Sequence, residues 1–178
     1  MTRRPIPREI RFWSNKRGAT AVEFALIATP LIALVLASLQ TAVIFFFDQA
    51  LQTATQKTAR TLMTGSVQTA NLTQTQFQTA LCANLPSQFQ CSKVMVDVES
   101  AVSFPAISTA PLVLTYNGSN NVTNTWNFNP GVAGSIVIMR VMYDWPVVGG
   151  PFAIGLSNQP NGSHLMVATV VFKNEPYQ

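Results

Sequence analysis

Charge is scarce in this sequence. Asp, Glu, Lys and Arg make up 10% of 178 residues, and the run from Phe24 to Phe47 carries none. There is one histidine, His164, and there are two cysteines, Cys82 and Cys91. A protein metal centre draws three or four ligands from the His, Cys, Asp and Glu set. One cysteine pair with a distant histidine does not supply them, so no metal and no cofactor is expected. The acids beyond the run are Asp48, Asp97, Glu99, Asp144 and Glu175, and only Asp97 and Glu99 stand close together. Strand alternation puts both on one face, which reads as a solvated edge rather than a catalytic pair. His164 follows Asn161-Gly162-Ser163 and reads as an exposed loop residue. Gly131-Val132-Ala133-Gly134 lacks the lysine and the preceding strand of a phosphate loop. An enzyme needs a catalytic group and a geometry for it, and the sequence offers no catalytic residue.

Net positive charge is confined to the start of the chain. The first 17 residues hold Arg3, Arg4, Arg8, Arg11, Lys16 and Arg17 against Glu9 alone, which exceeds the net charge of +4 for the whole chain. The remainder is therefore slightly acidic. Nucleic-acid binders carry basic residues on a folded face, whereas here they stack on one side of an apolar run, so no nucleic-acid partner is expected. That asymmetry is the positive-inside pattern, with the leader in the cytoplasm and the chain after Asp48 outside. Phe12 and Trp13 read as interfacial anchors on the cytoplasmic side.

The run itself is what the sequence has in excess. As a helix, Phe24 to Phe47 measures roughly 36 Å, enough for a bilayer core of about 30 Å. A secretory signal peptide has a shorter apolar region, of about 7 to 15 residues, that ends in small residues; this run ends in Phe45, Phe46 and Phe47, so cleavage after it is not expected. Cleavage before it is: Gly18 stands between the polar leader and the span and offers a peptidase an unobstructed backbone. Glu23, at the head of the run, has two readings. It can sit at headgroup level, where a helix N-terminus favours an anion by about 0.3 to 1 kcal/mol. Or it is buried in an assembly, paired with the new α-amino group of a neighbouring chain cut after Gly18, which would lock the axial register.

The string Arg17-Gly18-Ala19-Thr20-Ala21-Val22-Glu23-Phe24 followed by a long apolar span resembles the processing site of type IVb (Flp-type) prepilins. The chain length and body are similar to the TadE-like pseudopilins of the tight adherence system. The resemblance implies cleavage between Gly18 and Ala19 by an aspartyl prepilin peptidase, with Glu23 and Phe24 setting the register of assembly. It also implies that the chain is a minor pilin acting in assembly, initiation or the tip of a pilus for surface attachment. The implied partners are other pilins through the N-terminal helix, the inner-membrane platform and its ATPase. The implied location is the bacterial inner membrane, single-pass, with the N-terminus in the cytoplasm and the body in the periplasm, and after processing the fibre. Val141-Met142-Tyr143-Asp144-Trp145-Pro146 and the terminal Phe172-Lys173-Asn174-Glu175-Pro176-Tyr177 also look like TadE-like segments.

The expected architecture is α+β. Residues 1–18 form a leader, 19–64 one long helix with a span at about 24–47, and 65–178 an extracytoplasmic domain with a short second helix and a mainly antiparallel sheet. Pro30 falls inside the span, where membrane helices tolerate a kink. Leu51, Ala54, Thr58 and Leu62 recur at helical steps, and Gly65 is a stop signal. Thr73-Gln74-Thr75-Gln76 is a capping-box pattern that opens a helix with Phe77, Leu81 and Leu85 on one face. Cys82 and Cys91 lie in an oxidising compartment on this reading and are expected to form a disulfide.

Strands are expected at 94–99, Leu112–Tyr116, Ile136–Trp145 and Leu165–Phe172. The last is nearly continuous in apolar residues and is expected to be central. Segments Asn117–Asn121, Gly149–Pro151 and Asn158–Gly162 are turns, and Phe152 to Leu156 is a short apolar piece. Trp126 and Phe128 alternate in an Asn-rich stretch and read as core packing in preference to a sugar-binding loop. Two other functions compete with the pilin reading. One is an uncleaved membrane-anchored adaptor whose body binds a ligand; the other is a tethered hydrolase that would use His164 or Asp144.

Overall fold

Helix α1 runs unbroken from Ala19 to Met63 in a computed structural model that describes residues 18–147 and 155–177. The basic leader up to Arg17, the Gly149–Pro151 turn and the first part of the apolar piece that starts at Phe152 lie outside the described residues. The chain forms two compact units, residues 1–40 and 41–178.

In the first unit the helix has no core to pack on. Phe24 is 73% exposed, and Leu26, Ile27, Leu31, Leu34 and Leu39 are exposed as well. Its hydroxyls are satisfied locally, Thr29 Oγ1 donating to the Ala25 carbonyl at 2.7 Å and Ser38 Oγ to that of Leu34 at 2.9 Å. Such back-bonding hides polar groups from an apolar solvent. Pro30 lies within the helix without ending it.

In the second unit α1 turns amphipathic. Ile44, Leu51, Ala54, Thr55, Thr58, Ala59 and Leu62 are buried, the steps of three and four that put side chains on one face. Gly65, at φ 77°, follows the helix end, in the left-handed conformation that costs glycine least. A short helix α2, Ser66–Thr69, follows that the sequence had not signalled. Helix α3, Gln74–Cys82, opens with the expected capping box. The Thr73 amide donates to Gln76 Oε1 at 2.9 Å, and the Gln76 amide to Thr73 Oγ1 at 3.3 Å. Phe77 and Leu81 are buried in the core, while Leu85 lies past the helix end and packs half-buried. Cys82 and Cys91 are joined in a disulfide, Cα atoms 5.8 Å apart; a loop of this length contributes roughly 2 to 3 kcal/mol by restricting the unfolded chain.

The sheet has three antiparallel strands in the order β1 (Val94–Ala101), β2 (Ile136–Trp145) and β3 (His164–Lys173). Asp97 pairs with Arg140 across β1 and β2, and Arg140 with Thr169 across β2 and β3. The central strand is thus β2, and β3, expected there, is at the edge. Nor does its continuous apolar run mean that both faces are covered: Val167 and Val171 are 45% and 44% exposed. His164 is likewise not in a loop: it opens β3, and Nδ1 contacts the Leu156 carbonyl at 2.6 Å.

Two hydrophobic clusters flank the sheet. One face carries Val94, Val96, Val98, Val137, Met139, Val141 and Tyr143, packed with the buried residues of α1 and with Phe77 and Leu81. Phe47 stacks on Trp145 with ring centres 4.4 Å apart, and Phe89 packs edge-on to Tyr143 at 4.9 Å. The other face holds Met95 and Met142 against Leu114, with Leu112, Tyr116, Val122 and Trp126 around them. Residues 112–116, expected as a strand, form no ladder; their single bridge joins Tyr116 to Val122. Leu114 is nonetheless buried and Val113 is 76% exposed, so the alternation belongs to an extended cover laid over the sheet.

That cover overturns the expected wet face of β1. Asp97 is 2% exposed and Arg140 5%. Arg140 Nη1 lies 3.4 Å from Asp97 Oδ2 and 3.9 Å from Glu99 Oε1, and Nη2 donates to the Ser108 carbonyl. Asp97 Oδ1 accepts from the Asn127 amide at 3.0 Å. The chain end then returns to α1. Buried Asn174 donates from Nδ2 to the carbonyls of Pro130 at 2.9 Å and Val132 at 3.2 Å, and the Glu175 amide donates to the Met63 carbonyl at 2.8 Å. This last bond satisfies one of the carbonyls that any helix end leaves open.

Candidate functional site

The candidate site is the start of α1. Gly18 precedes the helix and has open space where a side chain would be, with nothing within 4 Å. Ala19 is the first α-helical residue, and Thr20, Ala21, Val22 and Glu23 are exposed. Among the described residues the ion pairs belong to Arg140, and Glu23 has no cation beside it. An exposed carboxylate is thus set in a helical surface made mostly of Ala, Val, Phe, Leu and Ile. Below it, Ala21, Val22, Ala25, Leu26, Thr29 and Pro30 line an apolar groove of about 550 Å³. Ala21 and Ala25 are four residues apart on one face, and small residues at that spacing let a second helix approach closely in lipid.

Helix α1 contains a stretch long and apolar enough to cross a membrane, and none of it is buried inside the protein. A core helix of a soluble protein has the same composition but a buried surface. The exposed apolar helix is thus long enough and apolar enough to act as a membrane anchor.

Residues 18–60 match the family model described as TadE-like protein. The chain is TadE-like over its N-terminal helix. No curated protein and no solved structure matches the chain. The TadE-like match begins at Gly18 and covers the helix, not the body.

The structure does not assemble the hydrolase alternative. Facing residues of an antiparallel pair share a sheet face. His164 faces Trp145 and so lies on the α1 side, while Asp144 faces Leu165 and lies on the other. Asp144 is instead occupied in a polar knot: Oδ2 accepts from Asn161 Nδ2 at 2.8 Å and Oδ1 from Ser163 Oγ. Beside it Tyr116 donates to Gln159 Oε1 at 3.1 Å. Burial first, and the negative charge of Asp144 second, push the Tyr116 phenol above its ordinary 10.0. Among the described residues no three of His, Cys, Asp and Glu stand close enough to hold a metal ion.

Two relationships escaped the sequence. The Asp97–Arg140 pair was hidden because the two strands are far apart in the chain; opposite charges on facing alternation patterns were the available signal. The packing of Tyr177 on Gly65 was hidden too, and the available signal was a glycine at a helix end.

Proposed function

We propose that this protein is a minor pilin, or pseudopilin, of a Flp-type tight adherence pilus, cut between Gly18 and Ala19 by a prepilin peptidase. The carrying observation is that the TadE-like match opens on Gly18, whose surroundings are open and after which α1 begins. Before cutting, the exposed apolar helix anchors the precursor in the inner membrane, leader inside and body in the periplasm. Ile44 and Phe47 pack in the core of the second unit, which leaves Phe24 to Val43 for lipid, about 30 Å of helix. After cutting, the same surface packs among the helices of other pilins, with the Ala21–Ala25 groove as the close-approach face. Glu23 then pairs with the α-amino group of a neighbour, and Phe24 packs beside it to fix the register. The protein works by assembly, at the initiation or tip of an adhesive fibre, and catalyses nothing. Its partners are the peptidase, other pilins and the inner-membrane platform.

Mass spectrometry of the protein recovered from membranes and from sheared fibres tests this reading. An Ala19 N-terminus in both fractions is the expected result. An intact leader, with no protein in the fibre fraction, overturns it and favours the uncleaved adaptor.

A further inference from the structure

A cavity of about 480 Å³ opens between α3, the start of β1 and the cover segment. That volume falls within the range of small-molecule sites, about 300–1,000 Å³. Its walls are mostly polar and mixed in kind: Gln74 and Gln78 from α3, Lys93, Asn120 and Asn121, Trp126 and Asp144.

The walls are fixed in place. Gln74 and Gln78 are one turn apart on the same face of α3, and each is clamped by its amide nitrogen. Gln74 Nε2 donates to the Val96 carbonyl at 3.0 Å, and Gln78 Nε2 to those of Val94 at 2.7 Å and Cys91 at 2.9 Å. Both Oε1 atoms remain as acceptors. The disulfide ties Cys91 to the end of the same helix, so this wall is covalently braced. The opposite wall is a tight turn in which Asn117 Oδ1 accepts from the amides of Ser119 and Asn121, both at 3.0 Å. The turn holds Asn120 at φ 59°. The side chains of Asn120, Asn121 and Lys93 and the Trp126 indole N–H make no hydrogen bond among the described residues. Trp126 packs on the Met95–Leu114–Met142 cluster and lines the cavity as well.

We infer that this cavity binds a saccharide unit. The set offers both donors and acceptors, as alternating hydroxyls require, and an aromatic ring whose negative face suits the weakly positive C–H face of a pyranose. One lysine is balanced by one aspartate, so the lining favours neither an anion nor a cation by net charge. Amides clamped before binding lower the ordering cost of the complex. The pocket stands on the second unit alone and needs neither processing of the leader nor entry into a fibre.

The test is saturation-transfer NMR on the full chain in phospholipid nanodiscs, since a maltoside detergent would compete. Maltotriose, cellotriose and chitotriose are the probes. Transfer to the ring protons of at least one of them is expected, with affinity falling about tenfold in both Trp126→Leu and Asn121→Ala. The leucine keeps an apolar side chain on the cluster, and Asn121 is exposed, so the second variant reports on binding even where the first loosens the fold. No transfer from any of the three sugars overturns the inference, as does transfer that neither substitution weakens.

Discussion

The ring of Tyr177 lies across Gly65: a methyl group added to that glycine would sit 2.2 Å from two of the ring carbons. The chain end therefore seals the turn after α1, where the Glu175 amide also caps the Met63 carbonyl. Gly65 is doubly constrained, by this contact and by its positive φ of 77°. Gly65→Ala is expected to destabilise the body by about 1–3 kcal/mol through backbone strain alone, with a further loss from displacing Tyr177. Thermal unfolding of the full chain, followed by tryptophan fluorescence, measures it. In a Tyr177→Ala background the same substitution is expected to cost less, since the clash is gone and the strain remains. Equal costs in the two backgrounds would show that the ring contact is not coupled to the turn.

Arg140 is the cation of a buried cluster with Asp97 3.4 Å away and Glu99 behind it. Removing one partner of such a pair leaves a charge without compensation in a dry site, at about 3–5 kcal/mol. Asp97→Ala is expected to fall in that range, because it also strips the acceptor from the Asn127 amide. Replacing both charges, as Asp97→Leu with Arg140→Met, is expected to cost less than either single change. Unfolding midpoints of the three variants decide it; a double variant as unstable as the sum of the singles would show that the two charges are not coupled.

Tyr116 gives the fold an alkaline limit. Burial and the Asp144 carboxylate raise its phenol above 10.0, and the Ser163 hydrogen bond opposes them. A raised group keeps its proton longer in the folded state than in the unfolded one. Its contribution is therefore complete below pH 10 and is lost as pH rises through the folded value. Stability of the wild type is expected to fall more steeply above pH 10 than that of Tyr116→Phe. In the tyrosinate absorbance difference between the two proteins, the midpoint is expected above 10. A midpoint at or below it would show that the phenol is solvated.

Much of this fold was legible, and the exceptions share a cause. The long helix, the capping box at Thr73 and Gln76, the disulfide and the bounds Ile136–Trp145 of β2 all depend on local pattern, and each is in the structure. What failed depends on what lies over the sheet. Leu112 to Tyr116 alternate because one side faces Met95 and Met142, and alternation alone does not say whether a neighbour supplies backbone partners. Asp97 looked solvated because Arg140 and Ser108, which enclose it, come from distant segments. The β3 strand looked central because side-chain burial and ladder position are independent properties. At the candidate site, Gly18, Ala19 and Glu23 were singled out from local composition, and the structure adds that Gly18 has open space around it and that Glu23 is exposed. The sugar-sized cavity was not, since its walls come from α3, β1, the cover segment and β2, although Trp126 in its Asn-rich surroundings was the trace it left.

Glu23 is the residue on which assembly is expected to turn. It is exposed, and among the described residues no cation stands beside it. A carboxylate within a membrane helix is costly, by about 2.5–3.5 kcal/mol for Asp at the helix centre, and a residue near the helix start escapes part of that by lying near the headgroups. Packed among other helices it would lose that water, so a partner is required, and the α-amino group created by cutting after Gly18 is of the right sign and at the right end. Glu23→Ala is accordingly expected to be processed to an Ala19 terminus and retained in the membrane, with a large loss from sheared fibres. Glu23→Gln, which keeps the shape and removes the charge, is expected to show the same loss. Immunoblots of the two fractions read both variants. Fibre levels equal to the wild type in Glu23→Gln would assign Glu23 to the headgroup level, with helix packing alone setting the register.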